Sequence, residues 1–185
     1  KAAMLARLFL KAEAEVQVLM TAAAADFIAP LTLSTLSKRP VYSEVSSESG
    51  WHNHVELGLW ADAMVIAPAT ANTLAKMAHG LCDNIVTACY LSARCPVFFA
   101  PAMDLDMWRH PATQANVRLL EQIGHRLIPP GSGELASGLH GEGRMAEPES
   151  ILEFLDQSLR TAHDLAGMNL LITAGPTFEA IDPVR

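Results

Sequence analysis

The chain has 185 residues, close to a single domain at roughly 100–200 residues per domain. Its residues are 50% hydrophobic and 18% charged, which excludes a disordered tail and a collagen-like repeat. Its 13 Lys and Arg against 20 Asp and Glu leave a net charge of −7, which argues against a nucleic-acid partner, and no apolar run approaches the roughly 18 residues that read as a membrane span.

In chain order, Ala2 to Leu10 predicts a helix, its helix-forming residues Ala2, Ala3, Met4, Leu5, Ala6, Leu8, Phe9 and Leu10 placing apolar groups at three- and four-residue spacing. Lys1 leads directly into this amphipathic pattern, a start unlike a signal peptide. Glu15–Met20 (EVQVLM) reads as a strand. A first helix in an α/β protein normally follows a strand and a turn, so a strand is expected ahead of this chain. The alanine-rich run Thr21–Phe27 then reads either as a helix start or as small residues that let a large ligand approach the backbone.

His52 and His54 stand two residues apart. They do not share a helix face, which excludes a zinc pair of the HEXXH kind and leaves a structural role or a general base. Ala63–Ala67 (AMVIA) predicts a buried strand closed by Pro68. Pro68–Thr73 supplies Thr and Asn residues that suit helix caps equally well as donors to a phosphate. No G-x-G-x-x-G or Walker pattern is present. Asn72–His79 predicts a helix stopped by Gly80, and Asp83–Leu91 a second helix with Asp83 near its start. Cys82, Cys89 and Cys95 match no metal or redox spacing, which implies reduced thiols, a cytoplasmic protein and no metal centre.

Pro96–Ala100 (PVFFA) predicts a strand closed by Pro101. The following Pro101–Trp108 carries two carboxylates, two Met and a Trp, with Asp104 as a cap or a ligand-facing group. Thr113–Ile123 predicts an amphipathic helix, and Arg126–Ile128 a short strand. Pro129–Arg144 reads as a glycine-rich loop, either a lid or a solvated connector. Pro148–Leu159 predicts a helix with Pro at its start. Asn169–Thr173 (NLLIT) reads as a buried strand, and no helix follows to cover it before Arg185, so the chain reads as a fragment. Alternating strands and helices with continuous apolar strands predict a three-layer, Rossmann-like (flavodoxin-like) α/β fold. In such a fold a parallel sheet is covered on both faces, and ligands bind at the carboxyl ends of the strands.

These strand-end segments, in this order, resemble the homo-oligomeric flavin-containing cysteine decarboxylase family. His54-Val55-Glu56-Leu57 is similar to its H-[IV]-x-L motif. Pro68–Thr73 (PATANT) is similar to P-A-S-A-N-T. Pro101–Trp108 (PAMDLDMW) is similar to P-x-M-N-x-x-M-W. Gly143–Pro148 resembles the end of its substrate-recognition flap. The resemblance implies FMN-dependent decarboxylation of 4'-phosphopantothenoylcysteine to 4'-phosphopantetheine in coenzyme A biosynthesis. It implies that FMN takes the thiol to a thioaldehyde, that carbon dioxide is lost to an enethiolate, and that hydride is then returned.

By the same resemblance His54 is the catalytic base and Ser137 or a bound water the proton donor. FMN is held by Thr21, Ala22, Ala23, Thr70, Ala71, Asn72, Thr73, Ala102 and Met103. The substrate meets Asp104, Met107, Gly138, Arg144 and Met145. The implied assembly is a homotrimer or dodecamer acting on a small phosphorylated cysteine conjugate, with neither nucleic acid nor membrane as partner.

Leu171–Arg185 resembles the opening of phosphopantothenate–cysteine ligase, which implies a bifunctional protein. The expected units are 1–162, a decarboxylase domain without its first strand and flavin loop, and 167–185, the beginning of a ligase domain. Two positions depart from the family pattern. Asp104 stands where the family has Asn, and an ionised Asp would repel a substrate carboxylate unless it is protonated or a cation compensates. Ser137 stands where the family often has a proton-donating Cys. An oxidative peptidyl-cysteine decarboxylase that stops at the enethiol and a non-catalytic regulatory flavoprotein are the alternative readings.

Overall fold

The computed structural model describes residues 1–47, 50, 51, 53–159 and 169–174. In chain order the elements are α1 (Ala2–Lys11), β1 (Glu15–Met20), a 3-10 turn (Ala22–Asp26), α2 (Pro30–Ser37), β2 (Ser46–Ser47), β3 (Gly50–Trp51), α3 (His54–Trp60), β4 (Ala63–Ala69) and α4 (Ala71–His79). They continue with α5 (Ile85–Ser92), β5 (Val97–Pro101), α6 (Leu105–Arg109), α7 (Pro111–Gln122), β6 (Arg126–Leu127), β7 (Gly131–Glu134), β8 (His140–Arg144), α8 (Pro148–Leu159) and β9 (Asn169–Ala174).

Five strands form one sheet in the order β1-β9-β4-β5-β6, every neighbouring pair parallel. Successive strand side chains point to opposite faces, and each face has its own core. Val16, Val18, Val65, Phe98 and Ile172 pack with Leu5 and Phe9 of α1 and Ile151 and Leu155 of α8. Leu19, Met64, Ile66, Phe99 and Leu171 pack with Leu74 of α4, Ile85 and Cys89 of α5 and Leu120 of α7. Phe98 and Phe99 are adjacent, fully buried and on opposite faces. Burying each contributes about 1.5–3 kcal/mol. The three-layer α/β architecture expected from the sequence is the one observed.

Local boundaries follow the side chains that satisfy helix ends. Thr70 accepts from Thr73 N–H at 3.1 Å and so opens α4, and Gly80 closes it at φ +67. The helix expected from Asp83 starts at Ile85, because Asn84 supplies a reciprocal capping box with Thr87. Asp83 instead pairs with Lys76 at 2.6 Å. Strand β4 runs two residues past Ala67, through the cis Ala67–Pro68 bond. A proline lacks the ladder N–H, and the pairing of β4 with β5 shifts register between Ile66 and Ala69, where Pro68 sits.

One segment differs from the sequence reading. The glycine-rich stretch 129–144, read as a loop, contains an antiparallel hairpin of β7 and β8. Its strands lack the apolar residues that signal a strand because glycines let backbone pack on backbone. Gly141 sits where a Cβ would lie 2.6 Å from Leu105 Cδ1, and a Cβ on Gly143 would collide with the Met103 carbonyl oxygen. Met103 N–H donates to Gly143 O at 2.9 Å, which pins the hairpin to the end of β5.

The buried strand expected at Asn169–Thr173, where the sequence reading starts the following unit, is observed as Asn169–Ala174. It lies at the centre of the sheet between β1 and β4. Leu170, Leu171 and Ile172 are buried on both faces, as a central parallel strand requires. Its start is fixed by Asp62 N–H donating to Asn169 O at 2.7 Å. The expected unit boundary at 162–167 and residues 175–185 of the ligase-like stretch Leu171–Arg185 lie outside the described residues.

Candidate active site

The carboxyl ends of β1, β9, β4 and β5 gather most of the residues singled out from the sequence. Thr21 follows β1 and leads into the 3-10 turn, on which Ala22 and Ala23 are exposed. Thr70 and Thr73 are buried at the start of α4, their hydroxyls 3.1 Å apart, while Asn72 beside them is exposed. Ala102 N–H donates to Ala69 O at 3.0 Å, joining the ends of β4 and β5. Helix α3 reaches β4 through Ala61 and Asp62 alone. His54 is the first residue of this helix, and Leu57 and Trp60 pack it on the sheet face shared with α4, α5 and α7. His54 is half-buried, with Asn53 capping the helix by accepting from Glu56 N–H at 3.2 Å.

Asp104 caps α6, its Oδ1 accepting from Leu105 N–H at 2.5 Å. A charge-assisted bond of this kind offsets part of the carboxylate's charge. Met103 is buried beneath it, and Met107 is 39% exposed on α6. Along the hairpin, a bulge between Gly131 and Ser132 shifts the register of β7 against β8. Bulges re-aim side chains. A Cβ on Gly133 would lie 3.0 Å from Arg144 Nη1 and 3.2 Å from its Cδ, so the arginine lies across that glycine.

Ser137 and Gly138 form the exposed hairpin tip. Ser137 Oγ accepts from Leu139 N–H at 3.4 Å, and Gly138 has φ +81. Met145 is placed differently from the other substrate candidates. Its side chain is buried in the α1–α8 core, and its carbonyl accepts from Lys1 Nζ at 2.8 Å.

Two buried hydroxyls at this edge, Thr21 Oγ1 and Thr173 Oγ1, have no hydrogen-bond partner among the described residues. Leaving a buried donor unpaired costs about 1–3 kcal/mol, so such groups mark a place built to meet a ligand. Thr173 pairs in register with Leu19 of β1 and Ile66 of β4, which sets it between Thr21 and the β4–α4 turn. Sequence reasoning missed it, because its position depends on β9 entering the centre of the sheet. The donors here are hydroxyls and backbone amides at a helix start, a set that fits a phosphate and the polar edge of a flavin.

Cys89 and Cys95 belong to the packing, while Cys82 is exposed. Burial pushes Cys89 up to about 12 and Cys95 up to about 11, so both stay protonated. No group of metal-ligating side chains occurs among the described residues, and none of their helices is long and apolar enough to cross a membrane.

Residues 1–160 match a family described as Flavoprotein, and residues 165–185 match one described as DNA/pantothenate metabolism flavoprotein C-terminal domain. A cysteine/cysteine sulfinic acid decarboxylase from an unknown prokaryotic organism is 57% identical over 85% of this chain and 46% of its own length. The coenzyme A biosynthesis bifunctional protein CoaBC of Bacillus subtilis is 42% identical over 100% of this chain and 47% of its own length. The chain thus spans about half the length of the curated relatives it matches. A solved structure of a cysteine-to-serine mutant of PPC decarboxylase complexed with pantothenoylaminoethenethiol is similar at TM-score 0.71 and 34% identity, over 86% of this chain and 94% of the other.

Proposed function

The chain belongs to the flavoprotein family, and we propose that it decarboxylates 4'-phosphopantothenoylcysteine to 4'-phosphopantetheine with FMN, within coenzyme A biosynthesis in the cytoplasm. The observation that carries this reading is the pair of buried, unpartnered hydroxyls, Thr21 and Thr173, flanking the Thr70–Thr73 turn at the sheet's carboxyl edge. The order of the two family matches, 1–160 then 165–185, supports a decarboxylase unit (1–162) followed by the opening of a ligase unit (167–185). The proposed assembly is a homotrimer or dodecamer.

Thr70, Ala71, Asn72 and Thr73 would hold the FMN phosphate and ring edge, with Thr21, Ala22, Ala23, Ala102 and Met103 lining it and Thr173 adding a hydroxyl. FMN supplies reversible two-electron chemistry, and with it the electron sink that an acylated cysteine lacks. His54 takes the substrate thiol proton, and a base of this kind contributes about 10²–10⁴ in rate. Asp104, Met107, Gly138, Arg144 and Met145 would form the substrate side. The tie between Met103 N–H and Gly143 O brings Arg144 within one residue of the Asp104 segment, a cation to set against the substrate's anionic groups. The hairpin excludes water from the reacting carbon.

A second reading is favoured by Asp104 together with the 57% identical relative. A carboxylate pairs well with the α-ammonium of free cysteine or cysteine sulfinic acid, which the acylated substrate lacks. Comparing carbon dioxide release from the three compounds separates the readings. For the first, His54→Asn is expected to cut turnover at least about 100-fold while the bound flavin spectrum persists. Full turnover in that variant would remove His54 from the mechanism.

A further inference from the structure

We propose that Gly133 of β7 is a positioning residue for the decarboxylation. By carrying no side chain it lets Arg144 lie along the inner face of the hairpin, and so sets where the guanidinium meets an oxyanion of the substrate. This rests on the decarboxylase reading above and deepens its substrate side.

The register decides which way the arginine points. Ser132 pairs with Glu142 and Gly131 with Arg144, so Gly143 is an extra residue on β8. Such a bulge breaks the alternation of side chains along a strand. Without it, Arg144 would stand on the face opposite Gly141 and Gly143. With it, Arg144 comes opposite Gly131, and directly opposed residues share a face. Gly133, the partner of Gly141, lies on that same face. It is the face turned to the end of β5 and the start of α6. A Cβ on Gly141 would lie 2.6 Å from Leu105 Cδ1, and one on Gly143 would collide with the Met103 carbonyl oxygen. Glu134, His140 and Glu142 fall on the outer face and are exposed. The charge that β7 and β8 turn toward the Asp104 segment is therefore that of Arg144.

Gly133 then fixes how that side chain lies. A Cβ there would stand 3.0 Å from Arg144 Nη1, 3.2 Å from its Cδ and 3.8 Å from its Cζ. The stem and the head both cross the space that a methyl would fill. Carbon atoms pack best at about 3.5–4.0 Å, so an added methyl pushes the arginine aside. The stem is flexible and yields, and the guanidinium moves with it. A guanidinium holds carboxylates and phosphates through a planar fork, which makes its placement decisive for binding. Arg144 is exposed, and Glu147 three residues on pairs with Lys1 at 2.7 Å.

The test measures kcat and KM for phosphopantothenoylcysteine on the FMN-loaded protein in Gly133→Ala, Arg144→Ala and the double variant, with FMN affinity taken from fluorescence quenching. Gly133→Ala is expected to raise KM roughly 3- to 10-fold, with kcat and FMN affinity within about twofold of wild type. Arg144→Ala should raise KM at least as much, and the double variant should match Arg144→Ala. A methyl that only strained the hairpin would act in either background, so additive effects would overturn the inference alone, as would a wild-type KM in Gly133→Ala. In Gly131→Ala the added Cβ meets only Arg144 O at 3.8 Å. That variant should keep the wild-type KM, and a rise equal to that of Gly133→Ala would also overturn the inference. The dephosphorylated substrate locates the oxyanion. The effect of Gly133→Ala persists there if the group is the carboxylate and vanishes if it is the phosphate, and either result supports the placement. Wild-type protein that releases no carbon dioxide would overturn the inference together with the reading it rests on.

Discussion

Gly143→Ala tests how the hairpin is held. Gly143 is buried at φ +149, and an added Cβ would collide with the carbonyl oxygen of Met103, whose N–H donates to Gly143 O at 2.9 Å. The clash is backbone against methyl, so no rotamer relieves it. Overpacking of this kind costs about 1–3 kcal/mol and the lost hydrogen bond about 0.5–1.5, for a sum of about 2–4 kcal/mol. At about 2–4 °C per kcal/mol for a chain of this size, melting should fall by roughly 5–15 °C. If the hairpin detaches rather than strains, the loss is smaller and appears as rapid hydrogen exchange at the Met103 amide. Gly131→Ala is the control. A Cβ there meets only Arg144 O at 3.8 Å, so its effect should stay within about 0.5 kcal/mol. A Gly143→Ala protein that melts with the wild type and keeps the Met103 amide protected would refute the close-approach account.

Thr173→Val removes a buried hydroxyl without a partner among the described residues, so the flavin-free protein should melt higher while FMN binds roughly 3- to 10-fold more weakly. Unchanged FMN affinity would separate Thr173 from the cofactor. Burial lowers the His125 pKa, and Tyr90 OH lies 2.8 Å from His125 Nε2. With the folded value below the unfolded one, the unfolded chain binds more protons between them. Stability from this site is therefore full above about pH 6.5 and falls as pH drops toward the folded pKa. His125→Gln should flatten that part of the melting profile, and an unchanged slope would reassign it to other groups.

Much of the scaffold was legible because it rests on local signals. AMVIA and PVFFA are apolar runs that read as buried strands, EVQVLM reads as a strand, and Gly80 stops α4 as its position implied. Pairing is not local, so NLLIT showed a buried strand without showing that it enters the sheet between β1 and β4. The hairpin escaped notice for a different reason. Its glycines serve backbone approach to Met103 and Leu105, and a pattern built on side chains carries no trace of that.

At the site, the motif segments mark the β4–α4 turn, the β5 end and the start of α3. The first two meet at one edge because β4 and β5 run parallel. Thr173, and the burial of Met145 in the α1–α8 core, needed the fold.

The central claim is tested most directly by incubating the FMN-loaded protein with 4'-phosphopantothenoylcysteine and measuring carbon dioxide and thiol products together. The account predicts stoichiometric carbon dioxide and 4'-phosphopantetheine, with the flavin oxidised again at the end of each turnover. Absence of carbon dioxide from this substrate, with release from free cysteine or cysteine sulfinic acid instead, would contradict it.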